Sequence, residues 1–407
     1  MVYYFTFVFL MLFLTFIENS YKKAIFLSFF LFFLFLGFSY PSGNDFVGYF
    51  TNYNCLVNHT CNSDNLIKFE SGYNLLVLIF GQLGYQLTIV AIAIFNVVCV
   101  FKFIQKNKIG NGSFVFFVLL TMLGWVLYIE AIRQAMAMSI FLYAIQYLYT
   151  KKIAKYVFFV LLSTMFHSSA IITLLFIFSV VVKSRWIIYL SGMVMLIVYL
   201  LFITIPNEII YGAILFFKLL PDFIGNTVVE KLNFYMMSDA YKPQVSIGIG
   251  AIIDFSLVCL FIIALRDLKN NIHDETYNRG FNITLVGIFF YVFFAMLIGR
   301  YMPVLTRIGW FGIPFIIILF SQYFRGDVFY KIQYHNRWQR VIRILIVSFL
   351  CMQSCRPLVY DYSGHAVLNQ QSIFENMNGL DDKSLEKLSH DKCVYLSNIG
   401  YGYLCGW

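Results

Sequence analysis

A small set of ionisable side chains stands apart in a chain that is otherwise strongly apolar. The set is Asp45, Glu70, Glu130, Arg133, His167, Arg300 and Arg307. Arginine is always charged and binds phosphate through two parallel hydrogen bonds. A carboxylate or an imidazole beside such arginines can act as a general base toward a hydroxyl group. Together these residue types suit the transfer of a group away from a diphosphate, provided that the fold collects them in one place.

Several of these residues also have structural explanations. Arg300 and Arg307 stand near the ends of apolar runs, from which arginine can extend toward lipid headgroups. Asp45, in "PSGND", suits a turn, and Glu70 could cap the short helix that follows it. His167 precedes two serines, so this triplet could form a turn and cap the next helix. Local sequence alone leaves the structural and the chemical roles open.

Glu130 and Arg133 are separated by one helical turn, so in a continuous helix they can form an ion pair. An exposed pair of this kind contributes only about 0–1 kcal/mol. Ala131, Ala135 and Ser139 form a ridge of small residues on the same helix, which lets neighbouring helices approach closely. We therefore expect Arg133 to point at protein or at a cavity, with Glu130 holding or tuning it.

The composition defines the class of protein. Of the 407 residues, 60% are hydrophobic, 20% are aromatic and 12% are charged, whereas soluble domains average about 25% charged residues. A soluble chain of this size could not bury 47 Phe and 29 Tyr. The sequence therefore predicts an all-α polytopic membrane protein. The net charge of +9 is not clustered into a stripe, so no nucleic acid partner is expected.

Apolar runs broken by charges predict about twelve transmembrane helices, because a crossing needs roughly 20 apolar residues. The predicted spans are 2–17, 24–39, 86–104, 113–129, 131–149, 153–166, 168–182, 186–204, 246–265, 281–299, 306–324 and 340–355. The run 72–84 is short and bounded by glycine, which indicates a re-entrant or interfacial helix. The first run has no basic leader or cleavage site, which indicates a retained span.

Charge sets the predicted orientation. With both termini outside, the inside loops hold 18 of the 29 Lys and Arg, as the positive-inside rule requires. This topology needs a break between two spans at His167. We therefore predict one helical bundle over 1–355 with outside loops 40–85 and 205–245, followed by a polar outside tail, 356–407.

The cysteines fit the same orientation. Cys55 and Cys61 lie in the first outside loop, and Cys393 and Cys405 lie in the tail, where an oxidising compartment allows disulfides. The Cys55–Cys61 bridge and free thiols stay equally open, because a short loop can strain the bond. His59 lies between this first pair, but a fourth ligand is missing, so no metal site is expected. No nucleotide or cofactor motif is present, and no cofactor is expected.

The stretch "IEAIRQAMAMSIFLYAIQYLYTKKIAKYVFFVLLSTMFHSSAIITLLF", residues 129–176, resembles the central block of the EpsG/Wzy-like polysaccharide polymerases. These proteins share an "RQ-x-hA" helix, a short basic turn and an "H-x-S" break. The matching positions here are Arg133, Gln134, Ala137, His167 and Ser169.

Three further stretches, "GNDFVGY", "FESGYNLL" and "TRIGWFGIPFIIIL", are similar to other motifs of that family. The positions that they supply are Asp45, Tyr49, Glu70, Tyr73 and Arg307. In the second motif Ser71 stands between the glutamate and the glycine. Arg300 has no clear counterpart. The resemblance covers about 20–325 and leaves the tail outside it.

The resemblance implies a metal-independent glycosyltransferase of the bacterial inner membrane. It would join undecaprenyl-diphosphate-linked oligosaccharide repeats at the outer face and release undecaprenyl diphosphate. Membrane lipids, a flippase and a chain-length regulator are the expected partners. The expected catalytic residues are Arg133, Arg307, Glu70, Asp45 and His167, the last favoured as the base. Expected substrate contacts are Arg300, Gln134, Tyr49, Tyr73, Glu130 and Ser169.

Three other activities remain as alternatives. A flippase or transporter would have pseudo-symmetric halves and charges along the midplane, but the sequence has no internal repeat. A membrane O-acyltransferase would need a cytoplasmic donor path and a histidine deep in the bundle. An O-antigen ligase differs only in its acceptor. The sugar, the linkage and the stereochemical course are not set by the sequence.

Overall fold

The computed structural model describes most of the chain. The described residues are 2–18, 21–41, 43–60, 69–124, 126–181, 185–205, 208, 211–212, 214–215, 218, 229, 249–270, 275–299, 303–324, 337–359, 369–398 and 405. Arg300, Cys61 and most of the predicted outside loop 205–245 lie outside these residues. The predictions made for them therefore stay predictions.

The regular secondary structure of the described part of the chain is helical, apart from one isolated bridge between Ser39 and Ser372. The helices are α1 (Val2–Ile17), α2 (Ala24–Gly37), α3 (Phe46–Val57), α4 (Ser71–Phe80), α5 (Tyr85–Lys106), α6 (Gly112–Leu123), α7 (Ile132–Tyr149), α8 (Ile153–Thr164), α9 (Phe178–Val181), α10 (Arg185–Thr204), α11 (Ile249–Asn270), α12 (Glu275–Tyr291), α13 (Pro303–Gly309), α14 (Ile313–Ser321), α15 (Arg337–Ser354) and α16 (Asp382–Asn398).

Three helical stretches among the described residues are long and apolar enough to cross a bilayer: Tyr85–Lys106, Gly280–Ile298 and Arg337–Leu358. Further apolar helices of 10–17 residues accompany them. The helical membrane class predicted from composition is confirmed at this level. The count of twelve crossings and the side of each terminus stay predictions.

Several predicted spans are interrupted near one end. A π-turn, Val126–Glu130, separates α6 from α7, and Ala131 between them has a non-helical backbone (φ −98°, ψ 58°). The stretch after His167 begins as a 3₁₀ helix, Ser168–Ile177, and a second π-turn, Val292–Ile298, follows α12. Apolar composition does not reveal these breaks, although such turns often occur at functional sites.

The main core lies where α6, α7 and α14 meet. Every residue of Gly112–Leu123 and of Ile313–Ser321 is buried. By contrast, α1 and α10 expose large apolar side chains, among them Phe9, Phe13 and Trp186. Apolar side chains thus occur both inside the bundle and on its outer surface, as expected of helices that contact lipid.

A second, smaller cluster is aromatic and surrounds the site described below. It joins the buried faces of α3 and α4 to the first turns of α5 and α7. Its buried members are Phe46, Tyr49, Phe50, Tyr53, Tyr73, Val77, Tyr85, Ile92, Ile132, Met136 and Leu385. Leu385 belongs to α16, so the described part of the C-terminal tail packs against the predicted outside loop 40–85.

The sequence allowed a disulfide in the tail without deciding between it and free thiols, and the structure contains the bond. Cys393 and Cys405 form a disulfide with their Cα atoms 5.7 Å apart. Cys55 is also disulfide-bonded, and its predicted partner lies outside the described residues. The cysteines at 99, 259, 351 and 355 are free.

Candidate functional site

Arg133 lies in the first turn of α7 and forms an ion pair with Glu70, through Nη1 and Oε2. Its guanidinium carbon lies 3.8 Å from the centre of the Phe69 ring and 5.9 Å from that of Tyr49. Such stacking contributes about 0.5–2 kcal/mol. The side chains of Arg133 and Glu70 remain 22% and 20% exposed. The arginine is therefore held in place while part of it stays accessible.

Glu70 precedes α4, at the predicted N-cap position, but its side chain does not cap that helix. Instead, Oε1 accepts the backbone N–H of Ser168 at 3.1 Å. One carboxylate thus caps the 3₁₀ helix after His167 and binds Arg133. Burial raises the pKa of Glu70. The nearby Arg133 and His167 charges lower that pKa by more than burial raises it, so the net pKa lies below the ordinary value. Glu70 is therefore ionised at neutral pH.

A glycine makes this arrangement possible. The backbone N–H of Gly72 donates to the carbonyl oxygen of Met165 at 2.8 Å. A Cβ atom at position 72 would lie 2.8 Å from the same oxygen. This distance is shorter than the contacts that Cβ atoms make with other atoms in proteins. The absence of a side chain lets the start of α4 contact the end of α8, and this contact places Glu70 beside Ser168.

His167 occupies the N-cap position of the 3₁₀ helix with an extended backbone (φ −156°, ψ 120°). Its Nδ1 accepts the N–H of Ser169 at 3.3 Å and lies 2.7 Å from the Ser169 hydroxyl. The capping role considered from sequence is confirmed. His167 also lies within electrostatic range of Glu70, so the structure brings the "H-x-S" and "E-x-G-Y" motifs together.

Arg307 forms the second pair. Its Nη2 lies 3.9 Å from Oδ2 of Asp45, and the two side chains are 38% and 22% exposed. Asp45 precedes α3 without capping it through its side chain. The buried Gln134 donates from Nε2 to the Arg307 carbonyl oxygen at 2.6 Å. Because Gln134 follows Arg133 in the chain, this bond connects the segments that carry the two arginines.

The predicted pairing of Glu130 with Arg133 is wrong. The helix is broken at Ala131, so the two residues do not share a helical face, and Arg133 pairs with Glu70 instead. Glu130 is 3% exposed, and its Oε2 accepts the N–H groups of Asn44 and Asp45 at 2.9 and 3.2 Å. Glu130 therefore holds the loop that carries Asp45.

The pKa of Glu130 follows from its neighbours, which come from three parts of the chain. Burial raises the pKa of this carboxyl, and the nearby Asp45 charge raises the pKa further, while Lys392 and Arg307 act against that rise. The net pKa lies above the ordinary range of a glutamate.

Tyr49 and Tyr73 are 3% and 1% exposed. Their rings pack 5.6 Å apart, and each also contacts the Phe69 ring. In this arrangement both tyrosines form the wall behind Arg133. Their predicted role as direct substrate contacts stays a prediction.

Two residues of the site were missed by sequence reasoning. Phe69 stacks under Arg133, and the Lys392 ammonium donates to the Gly43 carbonyl oxygen at 3.1 Å. Phe69 is adjacent to the predicted Glu70, a signal that was available. Lys392 carried no signal, because it is one of several lysines in a polar tail. Among the described residues no group of three or more His, Cys, Asp or Glu side chains is arranged to bind a metal ion.

Comparison with known proteins gives one match. The model of the EpsG family, a family of polysaccharide polymerase-like proteins, matches residues 22–372. No curated protein and no solved structure matches the chain. The matched region contains all the arginines and carboxylates of the site and ends before α16.

Proposed function

The chain belongs to the EpsG family, and on that premise we propose that it is a glycosyltransferase that polymerises lipid-linked oligosaccharides. Its substrates are undecaprenyl-diphosphate-linked repeat units at the outer face of the bacterial inner membrane. The growing glycan is transferred to the next repeat, and undecaprenyl diphosphate is released.

The observation that carries the proposal is the pair of arginine–carboxylate contacts at one site. Arg133 with Glu70 and Arg307 with Asp45 come from four separate segments, connected by the Gln134 bond to Arg307. Each arginine keeps an exposed part, so a diphosphate can bind without unfolding the site. Fixed cations beside a leaving group stabilise the charge that develops in the transition state.

The reaction then proceeds as follows. A hydroxyl oxygen of the incoming repeat attacks the anomeric carbon of the growing chain. The bond from that carbon to the diphosphate oxygen breaks, and its electron pair leaves with the diphosphate. Arg133 and Arg307 bind the resulting negative charge, Arg307 more directly because it is the more exposed of the two. The hydroxyl proton passes to a base.

His167 is the base in this proposal. The base form of His167 is the tautomer with its proton on Nδ1. In that tautomer the ring donates to the Ser169 hydroxyl 2.7 Å away instead of accepting the Ser169 N–H, and Nε2 accepts the substrate proton. Glu70 is less suited to this task, because the Arg133 and His167 charges outweigh burial and lower its pKa. A low pKa makes a carboxylate a weak proton acceptor.

The test uses purified protein in vesicles with a defined undecaprenyl-diphosphate repeat, and it measures the ladder of polymer lengths. We expect Arg133→Ala and Arg307→Ala to reduce the rate about 100-fold or more. Arg340→Ala is the matched control, because this exposed arginine of α15 lies at the predicted inside end of the span 340–355. Full-length polymer from Arg133→Ala would contradict the proposal.

The same assay separates the alternatives. A single transfer to a different acceptor would indicate a ligase. Movement of intact substrate between leaflets without a new glycosidic bond would indicate a flippase, and transfer from an acyl donor would indicate an acyltransferase. Only a ladder of repeats supports polymerisation.

A further inference from the structure

The described part of the C-terminal tail contacts the site, and most of that part lies beyond residue 372, where the family match ends. The N–H of Tyr40 donates to the Gln371 carbonyl, and that of Ile373 donates to the Phe38 carbonyl, each at 3.0 Å. Farther on, α16 packs on α3 and buries Leu385 completely in the aromatic cluster. This segment therefore forms part of the wall around the site, although the family match ends before α16.

Two charged side chains hold one peptide unit of the Asp45 loop. Lys392 donates to the Gly43 carbonyl at 3.1 Å, and Glu130 accepts the Asn44 N–H at 2.9 Å. This carbonyl and this N–H belong to the same peptide bond, and the described chain contains no cis peptide. In a trans peptide the two groups point in opposite directions. The lysine and the glutamate therefore hold opposite edges of the loop.

The loop has little freedom to move elsewhere. A Cβ atom at Gly43 would lie 2.8 Å from the Ile129 carbonyl oxygen, so the loop rests directly on the π-turn. Hydrogen bonds to charged groups are stronger than neutral ones, and bonds in series polarise one another. The two hydrogen bonds in series, from the Lys392 ammonium to the peptide and from the peptide to the Glu130 carboxylate, therefore fix the loop more firmly than either bond alone.

We propose that Lys392 is a positioning residue of the site: together with Glu130 it forms a clamp on the loop 43–45 and holds Asp45 opposite Arg307. The Cys393–Cys405 disulfide, adjacent to Lys392, anchors the end of α16 that carries the lysine. The activity readout of this inference rests on the proposed function, whereas its structural readout does not.

The test compares Lys392→Met, Lys392→Arg and Lys387→Met in the full-length protein. Methionine keeps the length of lysine without the charge, arginine restores the charge, and Lys387 is an exposed lysine of the same helix. Hydrogen exchange of a peptide that covers 43–46 reports the loop, and polymerisation reports the site. We expect Lys392→Met to speed exchange and to lower kcat about tenfold, with KM nearly unchanged. Lys392→Arg should restore much of both.

The pH profile gives a further readout. Glu130 is faced by Asp45, Arg307 and Lys392. Removing the lysine leaves the carboxyl beside Asp45 with less positive charge, so its pKa rises. Protonation of Glu130 weakens its hold on the Asn44 and Asp45 N–H groups. The loss of activity that follows this protonation should therefore begin at higher pH in Lys392→Met and stay in place in Lys387→Met.

Three outcomes would overturn the inference. Equal exchange and equal rates in Lys392→Met and Lys387→Met would show that no clamp exists. Faster exchange with an unchanged rate would show that the clamp does not position the site. Global unfolding of Lys392→Met, with no rescue of the loop by Lys392→Arg, would show a purely structural role. Absence of a ladder in the unmodified protein would instead refute the proposed polymerase function, and loop exchange would still test the clamp.

Discussion

At the scale of single residues, the site pairs each arginine with one carboxylate and leaves both arginines partly exposed. This is a balance between two costs. An unpaired, half-buried arginine is costly to desolvate, whereas a fully enclosed ion pair could not reach a substrate. Exposures of 22% for Arg133 and 38% for Arg307 lie between these extremes.

The first residue-scale prediction concerns Glu70→Gln. The substitution keeps an oxygen for Ser168 but leaves Arg133 without its counter-charge, which should cost about 1–2 kcal/mol because the pair is partly exposed. The folded pKa of Glu70 is lowered, so its contribution to stability is fully present above the unfolded carboxyl pKa of about 4.3. The contribution is lost as pH falls below that value.

Thermal unfolding of the detergent-solubilised protein between pH 7 and pH 3.5 measures this effect. The wild type should be the more stable protein at pH 7, and the difference from Glu70→Gln should shrink toward pH 3.5. A difference that grew on acidification would contradict the assigned role of the ion pair. Glu386→Gln, at an exposed position of α16, is the control.

At the scale of elements, the breaks between helices matter more than the helices themselves. The π-turn at Val126–Glu130 turns Glu130 toward the Asp45 loop, and the 3₁₀ start after His167 presents the Ser168 N–H to Glu70. Regular helices satisfy their own backbone groups, whereas breaks leave N–H groups free to bind side chains. Glu70 and Glu130, the two glutamates of the site, each accept backbone N–H groups of this kind.

The element-scale prediction concerns Gly72→Ala. A methyl group there would meet the Met165 carbonyl oxygen at 2.8 Å, so α4 must move and carry Glu70 away from Ser168 and Arg133. Small displacements of positioning groups can reduce a rate up to about 100-fold. We therefore expect a rate loss of at least about tenfold in the vesicle assay.

Gly212→Ala is the matched control, because a Cβ at Gly212 meets no atom of the described residues within 4 Å. The control should polymerise at the wild-type rate. Equal rates for Gly72→Ala and Gly212→Ala would mean that the approach of α4 to Met165 is irrelevant to the site.

At the scale of the whole molecule, the aromatic cluster gathers α3, α4 and the tail helix α16 on one side of the bundle. Arg133 lies at the start of α7 and Lys151 just beyond its end. The predicted orientation places the Arg133 end of α7 on the outside and the Lys151 end on the inside.

This orientation can be tested directly with single cysteines on a background in which the free cysteines are replaced. A membrane-impermeant maleimide applied to intact cells should label Lys387→Cys in the tail and leave Lys151→Cys unlabelled until the membrane is permeabilised. The reverse pattern would invert the topology and would place the site on the cytoplasmic side.

Much of this protein could be predicted from the sequence, because the relevant signals are local. Apolar run length and residue composition are read directly from the chain, and they indicated a helical membrane protein. Motif spacing identified Asp45, Glu70, Arg133, His167 and Arg307, all of which the structure brings to one region. The capping role of His167 was also accessible, since a cap involves only neighbouring residues.

The partners of these residues were decided by the tertiary structure. Arg133 pairs with Glu70, 63 positions away, and Glu130 binds the Asp45 loop, because a break at Ala131 turns the two side chains apart. Lys392 reaches Gly43 across 349 positions. A sequence limits which charges are present and how costly their burial is, but which charges meet depends on how distant segments pack.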